Sequence, residues 1–172
     1  GTDNYMYLHY NLTISVGTSV NGITPAADLV GVSTGVAVNT SGQTHRAYNF
    51  RSVPGVCKVG TYTGTGSSVY IHTGFKPRWI LIKNTAVARN WVIVDTARSP
   101  TNPAELFLFT DERDVEAARG PDSGSDYDID ILSDGFVPRT ADSAVNGSGN
   151  VHLYLAMADI AGNGTLPPIY GR

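Results

Sequence analysis

A chain of 172 residues is long enough for one ordinary domain, and with 41% hydrophobic residues it can bury a core, which excludes an intrinsically disordered segment. Nineteen Gly and nine Pro, with abundant Thr, Ser, Val and Tyr and no runs of Leu, Lys and Glu, select short strands and frequent turns over helices. Twelve basic against fifteen acidic residues leave a formal charge of -3, which creates no field to gather a polyanion and argues against nucleic acid as a partner.

The first 52 residues read as the back half of a repeat whose complete copy follows. Val38-Asn39-Thr40-Ser41-Gly42 and then His45 recur 107 positions later as Val145-Asn146-Gly147-Ser148-Gly149 and then His152. Met6-Tyr7-Leu8 recurs as Leu106-Phe107-Leu108 at an offset of 100, so the second copy carries about seven extra residues between these markers. The expected organisation is therefore a partial β repeat over 1–52, a complete β-sandwich unit over 53–160 and an extended arm over 161–172. Because a half unit lacks partners for its strands, residues 1–50 are expected to pack across a subunit boundary or to share a sheet with the second unit, giving an obligate oligomer, first a trimer. The chain opens at Gly1, so an initiator Met has been removed or the sequence continues upstream.

Residues 53–95 alternate and are separated by turn chemistry, which predicts a β-meander. Its strands are 57–62, 69–72, 78–83 and 91–95, the last two forming an antiparallel pair. Within 78–83, Trp79 and Leu81 point one way and Ile80 and Ile82 the other, so this strand is apolar on both faces and belongs in the middle of a sheet. One short helix is expected at 111–119, where Asp and Glu crowd the first turn and Gly120 supplies a stop. Residues 126–132 alternate three carboxylates with Tyr127, Ile129 and Ile131, a half-buried strand, and 136–140 resumes an extended path. The sum is an all-β, antiparallel, jelly-roll-like sandwich. No apolar run approaches the ~20 residues of a bilayer crossing, and no leader-like segment precedes the fold.

Chemistry-bearing residues are sparse. The oxygen-rich run from Asp122 to Asp130 resembles a calcium loop in spacing, but the position where a bidentate Glu would stand is Ser133, and a strand with a solvated acidic face explains the same spacing. His45 and His152 occupy matching repeat positions, His9 and His72 are isolated, and no HxH or HExxH spacing occurs. The glycines at 60, 64 and 66 lack the Lys-Ser/Thr of a phosphate loop, and no GxSxG elbow is present. Carboxylate pairs such as Asp95 with Asp111, or Glu112 with Asp114, read as solvated loop and helix-start residues rather than a hydrolase dyad. The lone Cys57 cannot close an intramolecular disulfide and reads as a buried, inert thiol. Asn11, Asn39, Asn146 and Asn163 carry glycosylation patterns that also make good turns. No catalytic residue, metal or cofactor is expected.

Several segments, in order and spacing, carry a family resemblance: Val59-Gly60-Thr61-Tyr62-Thr63-Gly64-Thr65-Gly66, the stretch from Tyr70 through Gly74-Phe75-Lys76-Pro77-Arg78-Trp79-Ile80-Leu81-Ile82-Lys83, Asn90-Trp91-Val92-Ile93-Val94-Asp95, Ser133-Asp134-Gly135-Phe136, and Val145-Asn146 through Met157-Ala158. Over residues 55–159 the chain resembles a C-terminal domain family of tail-fibre-like and other structural proteins of tailed phages, and 31–50 resembles the tail of a preceding copy. The resemblance implies residence in the virion and carries no catalytic motif. The expected function is thus a non-enzymatic structural module, an appendage or tail-fibre domain or a capsid decoration protein, whose partners are other virion proteins and copies of itself. The alternative is adhesion to host-surface glycan, with Tyr62, Tyr70, Trp91 and Tyr127 stacking on sugar rings. A glycan depolymerase ranks third, since no acid-base constellation stands out.

Overall fold

A computed structural model describes residues 40–111 and 127–159, together with the backbone of residues 2–5, 15–18, 23–25, 30–32 and 117–118. Strands β1 (Thr2–Tyr5) and β2 (Ser15–Thr18) pair antiparallel, as do β3 (Ile23–Pro25) and β4 (Val30–Val32), each pair forming its own two-stranded sheet. Nine further strands follow: β5 (Cys57–Thr63), β6 (Ile71–His72), β7 (Pro77–Asn84), β8 (Val92–Asp95), β9 (Leu106–Phe109), β10 (Ala117–Ala118), β11 (Ile129–Ile131), β12 (Gly135–Pro138) and β13 (Val151–Ala158). They build a six-stranded antiparallel sheet in the order β10-β9-β8-β7-β13-β5 and a three-stranded one in the order β11-β12-β6.

Period-2 patterning places the core between these sheets. In β7, Ile80 and Ile82 are fully buried; Ile80 stands opposite Val94 and Ala156, and Ile82 opposite Val92 and Tyr154. Phe107 of β9 extends the same face, and Ile71, Ile129 and Phe136 close it from the smaller sheet. Aromatic edges lock the layers: Tyr127 meets Phe107 and Phe109, and Phe136 meets Tyr62 and Tyr154, at ring separations of 5.3 to 6.2 Å. Each fully buried aliphatic side chain stabilises the fold by roughly 1.5–3 kcal/mol. The fold is the expected all-β antiparallel sandwich, and no helix occurs among the described residues.

Three expectations need correction or qualification. Residues 53–95 do not form one meander: β13 inserts between β5 and β7, and β6 joins the other sheet, so within the large sheet the consecutive neighbours are β7-β8-β9-β10. β6 is only two residues long and pairs with β12 in the other sheet, so the second neighbour of β7 is β13, from the far end of the chain. The helix expected at 111–119 is replaced at Ala117–Ala118 by a strand paired with β9, while residues 112–116 and 119 lie outside the described residues. Acidic residues at the expected first turn were a local signal, outweighed at Ala117–Ala118 by the open edge of β9. Most of the partial repeat over 1–39 and the arm over 161–172 also lie outside the described residues.

The repeat echo extends to backbone geometry. Gln43 N–H donates to Thr40 O at 3.2 Å with Gly42 at φ 75°, and Asn150 N–H donates to Gly147 O at 3.0 Å with Gly149 at φ 74°. Both glycines occupy the left-handed region that L side chains avoid. After the second turn the chain enters β13; after the first, residues 43–50 are irregular and exposed, and His45 accepts a hydrogen bond from Thr40 N–H at 3.2 Å instead of standing in a ladder.

Candidate functional site

One end of the sandwich is tied by buried polar side chains. Asn146, fully buried, accepts from Thr65 N–H at 2.9 Å and donates to Thr140 O at 2.8 Å and to Ser67 O, joining three loops. Gly64 packs so closely on this strap that a Cβ there would lie 2.3 Å from Gly147 O. Asn84 accepts from Ala86 and Val87 N–H at 2.8 and 3.0 Å and donates to Ser143 O. His152 stacks on Tyr62 with ring centroids 4.9 Å apart, and its two ring nitrogens face Asn150 O at 3.0 Å and Ser143 O at 3.3 Å. A neutral imidazole carries one N–H and satisfies one of those carbonyls; burial nonetheless outweighs both and pushes the His152 pKa down. These groups explain the polar core: they fix loops. Asn146 uses both ends of its amide internally, so its glycosylation pattern is a structural turn.

Lys83 is also fully buried, donating to Arg89 O beneath Trp91, whose ring centroid lies 5.9 Å from Nζ. Desolvation lowers its pKa, and the Asp111 carboxylate acts in the opposite direction. Asp111 accepts Trp91 N–H at 3.2 Å through one oxygen; the other is buried without a hydrogen-bond partner. The Asp111 charge is thus balanced at longer range by the Lys83 ammonium.

Two surface features can meet a ligand. The first lies on β6 and the turn before β12. Tyr70 Oη and His72 Nδ1 are 3.1 Å apart, His72 Nδ1 and Asp134 Oδ2 are 3.7 Å apart, and Lys58 Nζ donates to His72 O at 2.7 Å. Loss of solvent first, then the Asp134 carboxylate, raises the Tyr70 pKa, so its hydroxyl remains a donor at neutral pH. The second is an open cleft of about 420 Å³ lined by Lys76, Arg78, Thr96, Ser99, Asn102 and Asp159. Arg78 is committed to Asp95, Asn102 to the backbone of Ile131, and Ser99 Oγ to the N–H groups of Glu105 and Leu106. This cleft has polar edges but no paired acid and base.

A third feature is the outer face of the large sheet. The register aligns Leu81 with Ile93 and Leu155, Leu155 with Val59, Ile93 with Leu108, and Trp79 with Met157, all of them half-buried. Five adjacent strands therefore present aliphatic side chains away from the core.

Of the aromatics expected to contact a glycan, Tyr70 alone offers a largely free ring, at 49% exposure. Trp91 at 7% and Tyr127 at 5% belong to the packed interior, and Tyr62 is half-buried with its hydroxyl bonded to Val145 O and its face on His152. Sequence reasoning left His72 isolated and passed over Asp134 and Lys58; the alternation Tyr70-x-His72, which puts both side chains on one strand face, was the available signal. In the Asp-rich run, residues 122–126 lie outside the described residues, and Asp130 pairs with Arg139 at 3.4 Å. Among the described residues no three His, Cys, Asp or Glu side chains converge on a common centre. No helix of the described residues is long and apolar enough to cross a membrane. Cys57 is a half-buried free thiol whose pKa is raised by burial.

Neither a curated protein nor a solved structure matches the chain. A family model described as a domain of unknown function (DUF7483) matches residues 2–160, nearly the whole of the sequence, and the chain belongs to that family.

Proposed function

We propose that the chain is a non-enzymatic structural module of a tailed-phage virion, an exposed appendage domain or a capsid decoration protein, working through contacts with other virion proteins and with copies of itself. The outer face of the large sheet carries this reading. A lone sandwich needs apolar side chains on one face of each sheet; here Trp79, Leu81, Ile93, Leu108, Leu155 and Met157 make the second face apolar as well. Such a surface suits protein partners better than polar substrates. The buried polar groups serve the fold, and the open cleft holds no acid-base pair. The test is imaging of purified particles with counting of this chain. Hundreds of copies on the shell indicate decoration, a few at a vertex or tail an appendage, and absence from the particle overturns the proposal.

One observation favours a second reading, glycan adhesion. Tyr70 presents its ring beside His72, Asp134 and Lys58, a stacking surface ringed by hydroxyl-binding groups. Glycan-array binding abolished by Tyr70→Ala, with the melting temperature unchanged, would support it; no binding above background would remove it.

A further inference from the structure

We infer that residues 43–50 add as a strand to the open edge of β5 in a second copy of this chain. The donor is identified by its echo of β13. Both segments follow turns that share the pattern Val-Asn-x-Ser-Gly, the turn hydrogen bond and the glycine φ, 107 residues apart. β13 is the strand that already pairs along the inner edge of β5, from Met157 with Cys57 to Val151 with Thr63. Its counterpart has no ladder partner among the described residues, is exposed from 41 to 50, and leaves Tyr48 80% and Phe50 54% exposed. A strand-forming segment held in water without partners is a candidate for edge addition.

Of the edges of the sandwich's two sheets, β10 offers only two residues, and the acceptor is chosen among β11, β6 and β5. The outer edge of β11 is covered by Ala104, which pairs with Ile129, and by Asn102, which bonds the backbone of Ile131. On β6, His72 O takes the Lys58 ammonium. On β5 the outward-facing residues alternate with those bonded to β13. Cys57 is closed by Val53, and Val59 by the Ser52 hydroxyl, which both donates to Val59 O and accepts its N–H. Beyond them, Thr61 and Thr63 turn their main-chain groups outward and are exposed. The chain's own ladder stops at Ser52, where a side chain replaces the backbone, so residues 43–50 leave their own β5 edge and reach that of a neighbour. Because donor and acceptor are different surfaces, the contact either closes by reciprocal exchange into a two-fold dimer or runs head-to-tail into a ring or a filament.

The inference rests on the assembly reading only in requiring that copies meet. Its test uses the 172-residue chain and two prolines. Ala47→Pro spoils the donor in a segment that contributes nothing to the core, and Thr61→Pro removes an outward N–H that makes no bond to β13. In sedimentation over about a hundredfold range of concentration, the parent chain should associate and each variant should associate at least about tenfold more weakly. Mixing the two variants should give a one-to-one pair that does not grow, since one retains the edge and the other the strand; misfolded variants would give none. Hydrogen exchange should show residues 43–50 protected in the associated parent and unprotected on dilution. Association unchanged in both variants overturns the inference while leaving assembly through another face intact. A parent chain that is monomeric at every concentration overturns both the inference and self-assembly, and protection of 43–50 in that monomer would assign the strand to its own β5.

Discussion

The turns at Thr40 to Gln43 and at Gly147 to Asn150 share a central Ser-Gly, the closing hydrogen bond and the glycine conformation, yet they lead into different structures. The second opens into β13, flanked on both edges by β5 and β7; the first opens into irregular, exposed chain. Turn geometry is decided by three or four residues, whereas a strand exists only where another backbone takes its hydrogen bonds. Tyr154 is 3% exposed beneath the smaller sheet and Tyr48 is 80% exposed, although both lie a few residues beyond equivalent turns.

Substitutions made in both places put this contrast to the test. Tyr154→Ala should lower the stability of the chain by about 3–5 kcal/mol, because it empties core volume against Phe136 and Ile82, while Tyr48→Ala should change monomer stability by under about 0.5 kcal/mol. Chemical denaturation measures both, and equal losses would dissolve the distinction. Asn146→Ala leaves Thr65 N–H and two loop carbonyls without their partner and should cost about 2–3 kcal/mol, with the urea midpoint moving and the slope unchanged.

Smaller effects sharpen the contrast further. Gly149→Ala forces a Cβ into the left-handed region and should cost about 1–2 kcal/mol, although no atom lies within 4 Å of that Cβ. Gly42→Ala imposes the same local strain at φ 75°, but should leave the global unfolding midpoint within about 0.5 kcal/mol of the parent. The last test is acid. His152 has its pKa held below the ordinary 6.5 by burial, so on acidification the unfolded chain takes up this proton before the folded one does. Its contribution therefore lowers stability as pH falls below 6.5 and levels off once the depressed folded value is passed. Comparing melting temperatures at about pH 7.5 and about pH 5.5, the acid-induced drop should shrink in His152→Phe relative to the parent.

The parts of this molecule legible in its sequence are those set by neighbours along the chain. The alternation through Trp79 to Ile82, apolar on both sides, identified a strand interior to a sheet, and its antiparallel partner, expected at residues 91–95, is β8 at Val92–Asp95. The placement of β13 was not legible, because nothing between residues 63 and 77 signals that a strand beginning at Val151 will separate β5 from β7. The candidate site was less legible still. Tyr62, Tyr70, Trp91 and Tyr127 look alike as letters, and only the packing of the second sheet decides that Tyr127 is interior and Tyr70 is not. The tying roles of Asn84 and Asn146 depend on loops up to 81 positions apart, so polarity in the sequence suggested surface where the structure has core.

The position of β13 also governs how the molecule is made. The ribosome delivers the chain from its N-terminus, so β7, β8 and β9 can zip together while the strand that belongs beside them is still unsynthesised. Until Ala158 has emerged, the inner edges of β5 and β7 both face water, and β5 has no ladder to join it to the large sheet. Closure links residues about a hundred positions apart, from Cys57 to Met157, which places this sandwich among the slow, topology-limited folders. Nascent chains halted before residue 151 should therefore hold the four-stranded β7-β8-β9-β10 meander and a detached β5, and the completed sheet should arrive in a single late step.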